Sequence, residues 1–158
     1  MIHNRQNVQA SILDRLVDDE PSVSHEPVQY RLLSIGQIKA SLIRNLENLL
    51  NTRRHIFSPP VEYKELNNSL FVYGLQDFTS KNPRSPSVKL KLRQDVEKAI
   101  SRFEPRLKNV TVHLETSAQN ERNLRFRITG LLVIEPINEP VTFDTYYDIN
   151  RSEYVISE

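Results

Sequence analysis

Apolar and polar positions follow two different periods along this chain, one before Pro105 and another after it. Before Pro105, apolar residues recur every three or four positions, which is the period of an amphipathic helix. After Pro105, Val110, Val112 and Leu114 alternate with polar residues, which is the period of a half-buried strand. The order predicts helices first and strands afterwards.

Three stretches carry the helical period. The first runs from Val8 to Leu16 and ends before Pro21, and a Ser- and Pro-containing linker follows it. It is equally readable as a docking arm or as a helix packed on its own domain. The second begins at Ser34, an N-cap with Gln37 three residues later, which forms a capping box. We expect Arg53, Arg54 and His55 to lie in its last turn, where at least two of them oppose the helix dipole; contact with a partner is the alternative.

The third helix is predicted to begin at Ser85 and Pro86, the N-cap and first helical position. We expect its apolar stripe to consist of Leu90, Leu92, Val96, Ala99, Ile100 and Phe103. Its charged residues are interpreted as a solvated face: Asp95, Glu97, Lys98 and Arg102.

Between the second and third helices, the stretch "VEYKELNNSLFVYG" predicts one short helix closed by Gly74.

Three strand signals follow in "NVTVHLE", "NLRFRITGLLVIEP" and "VTFDTYYDINRSEYVISE". Gly130 is expected to shift the phase of the second strand at a bulge, and "INEP" is interpreted as a turn. The fold class is therefore α+β, with N-terminal helices followed by an antiparallel β-meander of three or four strands. We predict residues 1–30 as a helical arm and linker, and residues 31–158 as a single α+β domain.

Composition narrows the function without identifying it. The chain has 158 residues, 38% hydrophobic residues, a net charge of +1 and no cysteine. It therefore lacks a strong field for nucleic acid, any thiolate nucleophile and any apolar run of membrane-spanning length. The polar N-terminus lacks the apolar core of a signal peptide. The four histidines have no metal-ligand spacing, so neither a metal nor a cofactor is expected, and no catalytic residue is assigned.

The most distinctive short motif is Glu104-Pro105-Arg106, where the third helix meets the first strand. Pro105 stops the helix and stiffens the chain, and in an extended segment Glu104 and Arg106 project to one side. Neighbouring cations favour an ionised Glu104, which is the wrong state for a general acid. The motif is either a helix terminator with a surface ion pair or a rigid polar contact for a partner protein.

Four segments together resemble a known family. They are "SILDRLVDDEP", "LIRNLENLLNTRR", "FVYGLQDFTS" and "AISRFEPRLKNV", and their order and spacing resemble the TssE family of type VI secretion baseplates. This family is similar to a wedge protein of contractile phage tail baseplates, and it carries an old "lysozyme" label. The resemblance covers nearly the whole chain from about Ser11 onward.

The resemblance implies a cytoplasmic structural protein and not an enzyme. It implies that Glu104, Pro105 and Arg106 bind the baseplate wedge formed by TssF and TssG, with TssK as a further candidate partner. It also implies that a sheet edge receives strands from the sheath proteins TssB and TssC and templates sheath assembly. The alternatives are a peptidoglycan-cleaving muramidase and a small protein-binding adaptor. No nucleic acid and no membrane insertion are expected.

Overall fold

The structure is a computed structural model that describes residues 8–9, 16, 21–22, 32–78, 85–115, 125–134, 137–148 and 153–157. The chain divides into two compact units, Met1–Arg44 and Asn45–Glu158. The predicted division at residue 30 remains a prediction.

From residue 35 onward the described elements follow the predicted order of helices first and strands afterwards, but a pair of short strands that was not predicted comes before them. Strands β1 (Val8–Gln9) and β2 (Leu32–Leu33) form an antiparallel pair, and helix α1 (Ile35–Asn51) follows. Next come α2 (Lys64–Asn67), a 3-10 helix (Leu70–Val72) and α3 (Pro86–Phe103). Strands β3 (Leu107–Glu115), β4 (Arg125–Ile134), β5 (Ile137–Asp148) and β6 (Glu153–Ser157) complete the chain.

The predicted N-terminal helix is wrong at Val8 and Gln9 and right at Leu16, which are the positions of this stretch that the structure describes. Val8 begins a strand that pairs with Leu33, whereas the sequence pattern placed Val8 on a helix. Leu16 is helical and exposed. The remainder of the predicted arm lies outside the described residues.

The start of α1 is as predicted. Ser34 N–H donates to Gln37 Oε1 at 2.9 Å, and Gln37 N–H donates to Ser34 Oγ at 3.3 Å, which completes the capping box. The end of α1 differs, because the helix stops at Asn51 and leaves Arg53, Arg54 and His55 outside its last turn. The dipole explanation for these three residues is therefore wrong.

The four C-terminal strands form an antiparallel sheet in the order β3-β4-β5-β6, so the α+β class is confirmed. Side chains from both long helices and from the inner face of the sheet are buried in the unit Asn45–Glu158; they include Leu46, Leu49, Val96, Ile100, Val112, Phe126, Ile128 and Phe143. Leu90, predicted for the stripe of α3, is 49% exposed. "INEP" is not a turn, since β5 already begins at Ile137 and pairs with β4 there.

The predicted bulge lies on β3 and not on β4. The β4–β5 register runs without a break through Gly130, so Ile128 and Leu132 are buried on the same side. The β3–β4 register shifts between Lys108 and Thr111, where two β3 residues face Gly130. Asn109 has a positive φ of 53° there, a conformation that asparagine tolerates better than most residues. A Cβ at Gly130 would press on Leu107 and on the Lys108 carbonyl, so the glycine makes room for the bulge.

Candidate functional site: the Glu104-Pro105-Arg106 turn

The predicted motif forms a tight turn between α3 and β3. Glu104 N–H closes the helix on Ile100 O at 2.8 Å, and Leu107 N–H donates to Glu104 O at 3.1 Å. The segment is thus a β-turn with Pro105 at its second position, which suits the φ that proline imposes. The segment is not extended, and the turn itself brings the two charged side chains together.

Glu104 and Arg106 form a two-pronged ion pair. Arg106 Nε donates to Glu104 Oε1 at 2.7 Å, and Arg106 Nη2 donates to Glu104 Oε2 at 2.8 Å. The relative exposure of the two side chains is 24% for Arg106 and 5% for Glu104. The interpretation of a surface ion pair is therefore wrong, because the carboxylate lies inside and only the arginine reaches the surface. A bidentate pair in a partly dry environment is stronger than an exposed one.

Two other elements bond this turn, and a ring contact lies beside it. Asn45 on α1 donates to Glu104 Oε2 at 3.4 Å, and Val133 on β4 donates its N–H to Arg106 O at 2.8 Å. Phe103 at the end of α3 contacts the ring of Tyr73 edge-on at 5.1 Å between centroids. Burial, and then the negative charge of Glu104, raise the pKa of Tyr73. The turn is thus fixed at the junction of α1, α3 and the sheet.

The geometry at Glu104 does not suit acid catalysis. Both carboxylate oxygens accept from one guanidinium, which is the arrangement of an ionised carboxylate. A glycosidase acid instead requires a carboxyl held protonated by an apolar pocket or a like charge. Glu104 is therefore placed as a structural partner of Arg106.

An open depression of about 380 Å³ lies on the outer face of the sheet. Two carboxylates line it, Glu115 and Asp144, and a general acid could be sought there. Arg127 lies between them, 2.6 Å from Asp144 and 3.4 Å from Glu115. The hydrogen bond from Arg127 lowers the pKa of Asp144. Asp144 therefore does not have the raised pKa that a general acid requires. No cluster of metal ligands occurs within the described residues.

Sequence reasoning missed two carboxylates of α3, which it assigned to a solvated face. Asp95 accepts from Arg54 at 2.9 Å and from the N–H of Gln76 at 2.8 Å. Glu97 accepts from the N–H of Val112 on β3 at 2.9 Å. Both carboxylates bond residues that are distant in the sequence, so no local sequence pattern could predict these hydrogen bonds.

A second unusual surface lies between α1 and α3. We call residues 55–71 the apolar loop, because its large exposed side chains are Ile56, Phe57, Val61, Tyr63, Leu66, Leu70 and Phe71. Phe71 contacts the rings of His55 and Phe57, with centroids 5.3 and 6.3 Å away. The base of the loop is closed by Leu75, whose N–H donates to Thr52 O at 2.9 Å and whose carbonyl accepts from Arg54 at 2.8 Å.

Fold and site together define a small α+β protein with a fixed polar turn, a solvent-exposed apolar loop and a four-stranded antiparallel sheet. The family model of baseplate wedge protein gp25 matches residues 36–137, and the chain belongs to this family. It is a structural baseplate subunit, which confirms the baseplate resemblance found in the sequence.

A chain from a solved structure titled "The baseplate complex from the type VI secretion system" is similar to this one at 20% identity and a TM-score of 0.48. The similarity covers 70% of this chain and 94% of that chain. The search of curated proteins finds no match. No helix in the described part of the chain has the length and apolarity required to cross a membrane.

Proposed function

We propose that this protein is the TssE-type baseplate subunit of a type VI secretion system, which docks to the wedge complex and templates assembly of the contractile sheath. The observation that carries the baseplate role is the family match over residues 36–137. The four sequence segments that resemble TssE support the type VI assignment. The same resemblance supports a cytoplasmic, non-catalytic role.

We assign the contact with TssF and TssG to the turn Glu104-Pro105-Arg106, with TssK as a further candidate. Two features support this assignment: Pro105 is exposed, and the Arg106 side chain reaches the surface with its plane set by Glu104. An arginine fixed in this way loses little side-chain freedom when it binds a partner. Glu104 positions Arg106, while Pro105 and Arg106 make the contact.

The test must keep the buried charge compensated, because removing either partner of this pair alone destabilises the turn. Arg106→Lys retains the positive charge but loses the planar fork. The exchanged variant Glu104→Arg with Arg106→Glu retains one charge of each sign and reverses the exposed one. Arg102→Ala, which removes a neighbouring partly exposed cation, is the matched control.

We expect co-purification with TssF and TssG to weaken roughly tenfold in Arg106→Lys. We expect it to be lost in the exchanged variant and unchanged in Arg102→Ala. Circular dichroism checks that each variant is folded. Wild-type binding by both folded site variants would refute the assignment of the turn.

A further inference from the structure

The two outer strands of the sheet are both bonded by side chains from helices. Glu97 of α3 accepts from Val112 N–H on β3 at 2.9 Å, and Glu47 of α1 accepts from Ile156 N–H on β6 at 2.9 Å. Outward-facing N–H groups of an edge strand are the groups to which another chain's strand would bind. Each carboxylate therefore occupies a position that a partner's carbonyl would need.

The register shows which backbone groups face outward. In an antiparallel ladder, successive residues turn their N–H and C=O alternately toward the neighbouring strand and away from it. Because Val112 bonds Glu97, Val112 and Leu114 face outward, whereas Thr111, His113 and Glu115 face β4. By the same argument Tyr154 and Ile156 face outward on β6.

The two edge strands, β3 and β6, differ in how many of their outward N–H groups already have an acceptor. On β6, Asn51 accepts from Tyr154 N–H at 2.7 Å and donates to Tyr154 O at 2.9 Å, in addition to the bond from Ile156 to Glu47. Both outward N–H groups of β6 are thus occupied. On β3, Glu97 occupies Val112, but no group among the described residues accepts from Leu114 N–H. Glu97 also lies 3.7 Å from Arg93 on its own helix, which offers the carboxylate an alternative partner.

The β5 edge beyond β6 is less suited to strand addition. The β5 residues that pair with β6 are Asp144 to Asp148, so within the described part of the chain Ile137 to Phe143 pair with β4 alone. The alternation places Pro140 with its nitrogen on the side away from β4. Proline has no N–H to donate there, so this stretch is a poor template for another strand.

We propose that β3 is the edge that accepts an extended strand from a partner, and that Glu97 is a latch that must release Val112 N–H first. This inference rests on the proposed sheath-templating function and specifies its site. The partner strand pairs with Val112 and Leu114. Its apolar residues continue the buried side beside Val112, and its alternate residues meet His113 and Glu115, which are exposed on the other side. Polar residues fit those alternate positions, because His113 and Glu115 are exposed polar side chains and Glu115 already has Arg127 as an ion-pair partner at 3.4 Å.

The first experiment compares latch variants of the full chain in binding to the purified TssB–TssC sheath heterodimer. Glu97→Ala frees Val112 and is expected to bind about tenfold tighter, the factor corresponding to one hydrogen bond to a charged group. Glu97→Gln retains an acceptor without the charge, so its gain is expected to be smaller. Glu47→Ala is the matched control on the opposite edge and is expected to leave the affinity unchanged.

A second experiment locates the bound strand independently of affinity. Because the chain has no cysteine, His113→Cys on β3 and Glu153→Cys on β6 each create one thiol for a photocrosslinker at an exposed position. We expect a crosslink to the sheath from position 113 and none from 153. In the free protein, hydrogen exchange at the Val112 amide is expected to accelerate about tenfold in Glu97→Ala.

The outcomes separate the inference from the function it rests on. A crosslink from 153, or tighter binding only in Glu47→Ala, overturns the assignment of β3 but leaves sheath templating intact. A crosslink from 113 with unchanged affinity in Glu97→Ala refutes the latch. Absence of sheath binding by the wild type and by every variant overturns the templating function itself.

Discussion

The Glu104-Pro105-Arg106 turn and the apolar loop depart in opposite directions from the usual distribution of side chains. Glu104 is a charged residue with a relative exposure of 4%, whereas Ile56 in the loop is an apolar residue with a relative exposure of 99%. Charged residues are seldom fully buried without a partner, and contiguous exposed apolar residues commonly mark an interaction site. The buried charge of the turn therefore bears on the stability of the fold, and the exposed apolar side chains of the loop bear on what the surface can contact.

The turn and the loop also differ in how much their side chains contribute to the stability of the protein. The carboxylate of Glu104 is hydrogen-bonded by Arg106 and Asn45, so removing it takes away an acceptor that both side chains share. Most apolar side chains of the loop face water already, so truncating them exposes little new surface. The turn is expected to respond to substitution through stability, and the loop to respond mainly where its backbone is anchored.

The largest effect is expected at that anchor, in Gly74→Ala. Gly74 has φ = +96°, and a Cβ there would overlap the carbonyl of Thr52, which accepts the hydrogen bond that closes the loop. Left-handed strain together with a backbone clash predicts a loss of about 3–4 kcal/mol in the free energy of unfolding. Urea denaturation of the full chain measures it.

Gly36→Ala is the matched control for this substitution. Gly36 lies exposed in the first turn of α1, and the nearest atom to an added Cβ is 3.9 Å away. Alanine is the better helix former, so a gain of about 0.5–1 kcal/mol is expected. Equal losses at the two glycines would show that the loop anchor is not specifically strained.

The next effect is expected at the turn, in Glu104→Ala. The substitution leaves Arg106 and Asn45 without their carboxylate, and about 3 kcal/mol is the low end of what breaking a buried pair costs. The low end applies because the Arg106 side chain, at 24% exposure, can turn toward water. Urea denaturation again provides the measurement, with exposed Glu62→Ala as a control expected to change stability by less than about 0.5 kcal/mol. A loss below about 1 kcal/mol in Glu104→Ala would indicate that the turn does not depend on the pair.

The sequence predicted what depends on neighbours along the chain. The capping box of Ser34 and Gln37, the proline stop at Pro105 and the alternation of Val112 and Leu114 are all local, and the structure has all three. The sequence also singled out the Glu104-Pro105-Arg106 motif, because a proline between opposite charges is visible in three letters.

The sequence could not predict what depends on distant partners. Asn45 contributes to the burial of Glu104 from another helix, and Glu97 bonds a strand that follows the turn. Glu97 fits a solvated helix face, and Glu104 fits a surface ion pair, until those partners are known. The bulge was placed on the wrong strand for a similar reason: Gly130 marks a close approach, but the extra residue lies opposite it at Asn109.

The smallest effect is expected within the apolar loop itself, and it tests whether exposure governs the response. Leu70 and Val72 are two positions apart in the same 3-10 helix, with relative exposures of 79% and 5%. Leu70→Ala is expected to change the free energy of unfolding by no more than about 0.5 kcal/mol, as for other exposed sites. Val72→Ala removes buried methyl groups and is expected to cost about 2 kcal/mol. Comparable losses in urea denaturation would mean that Leu70 is covered in solution, and the loop would then belong to the core and no longer contrast with the turn.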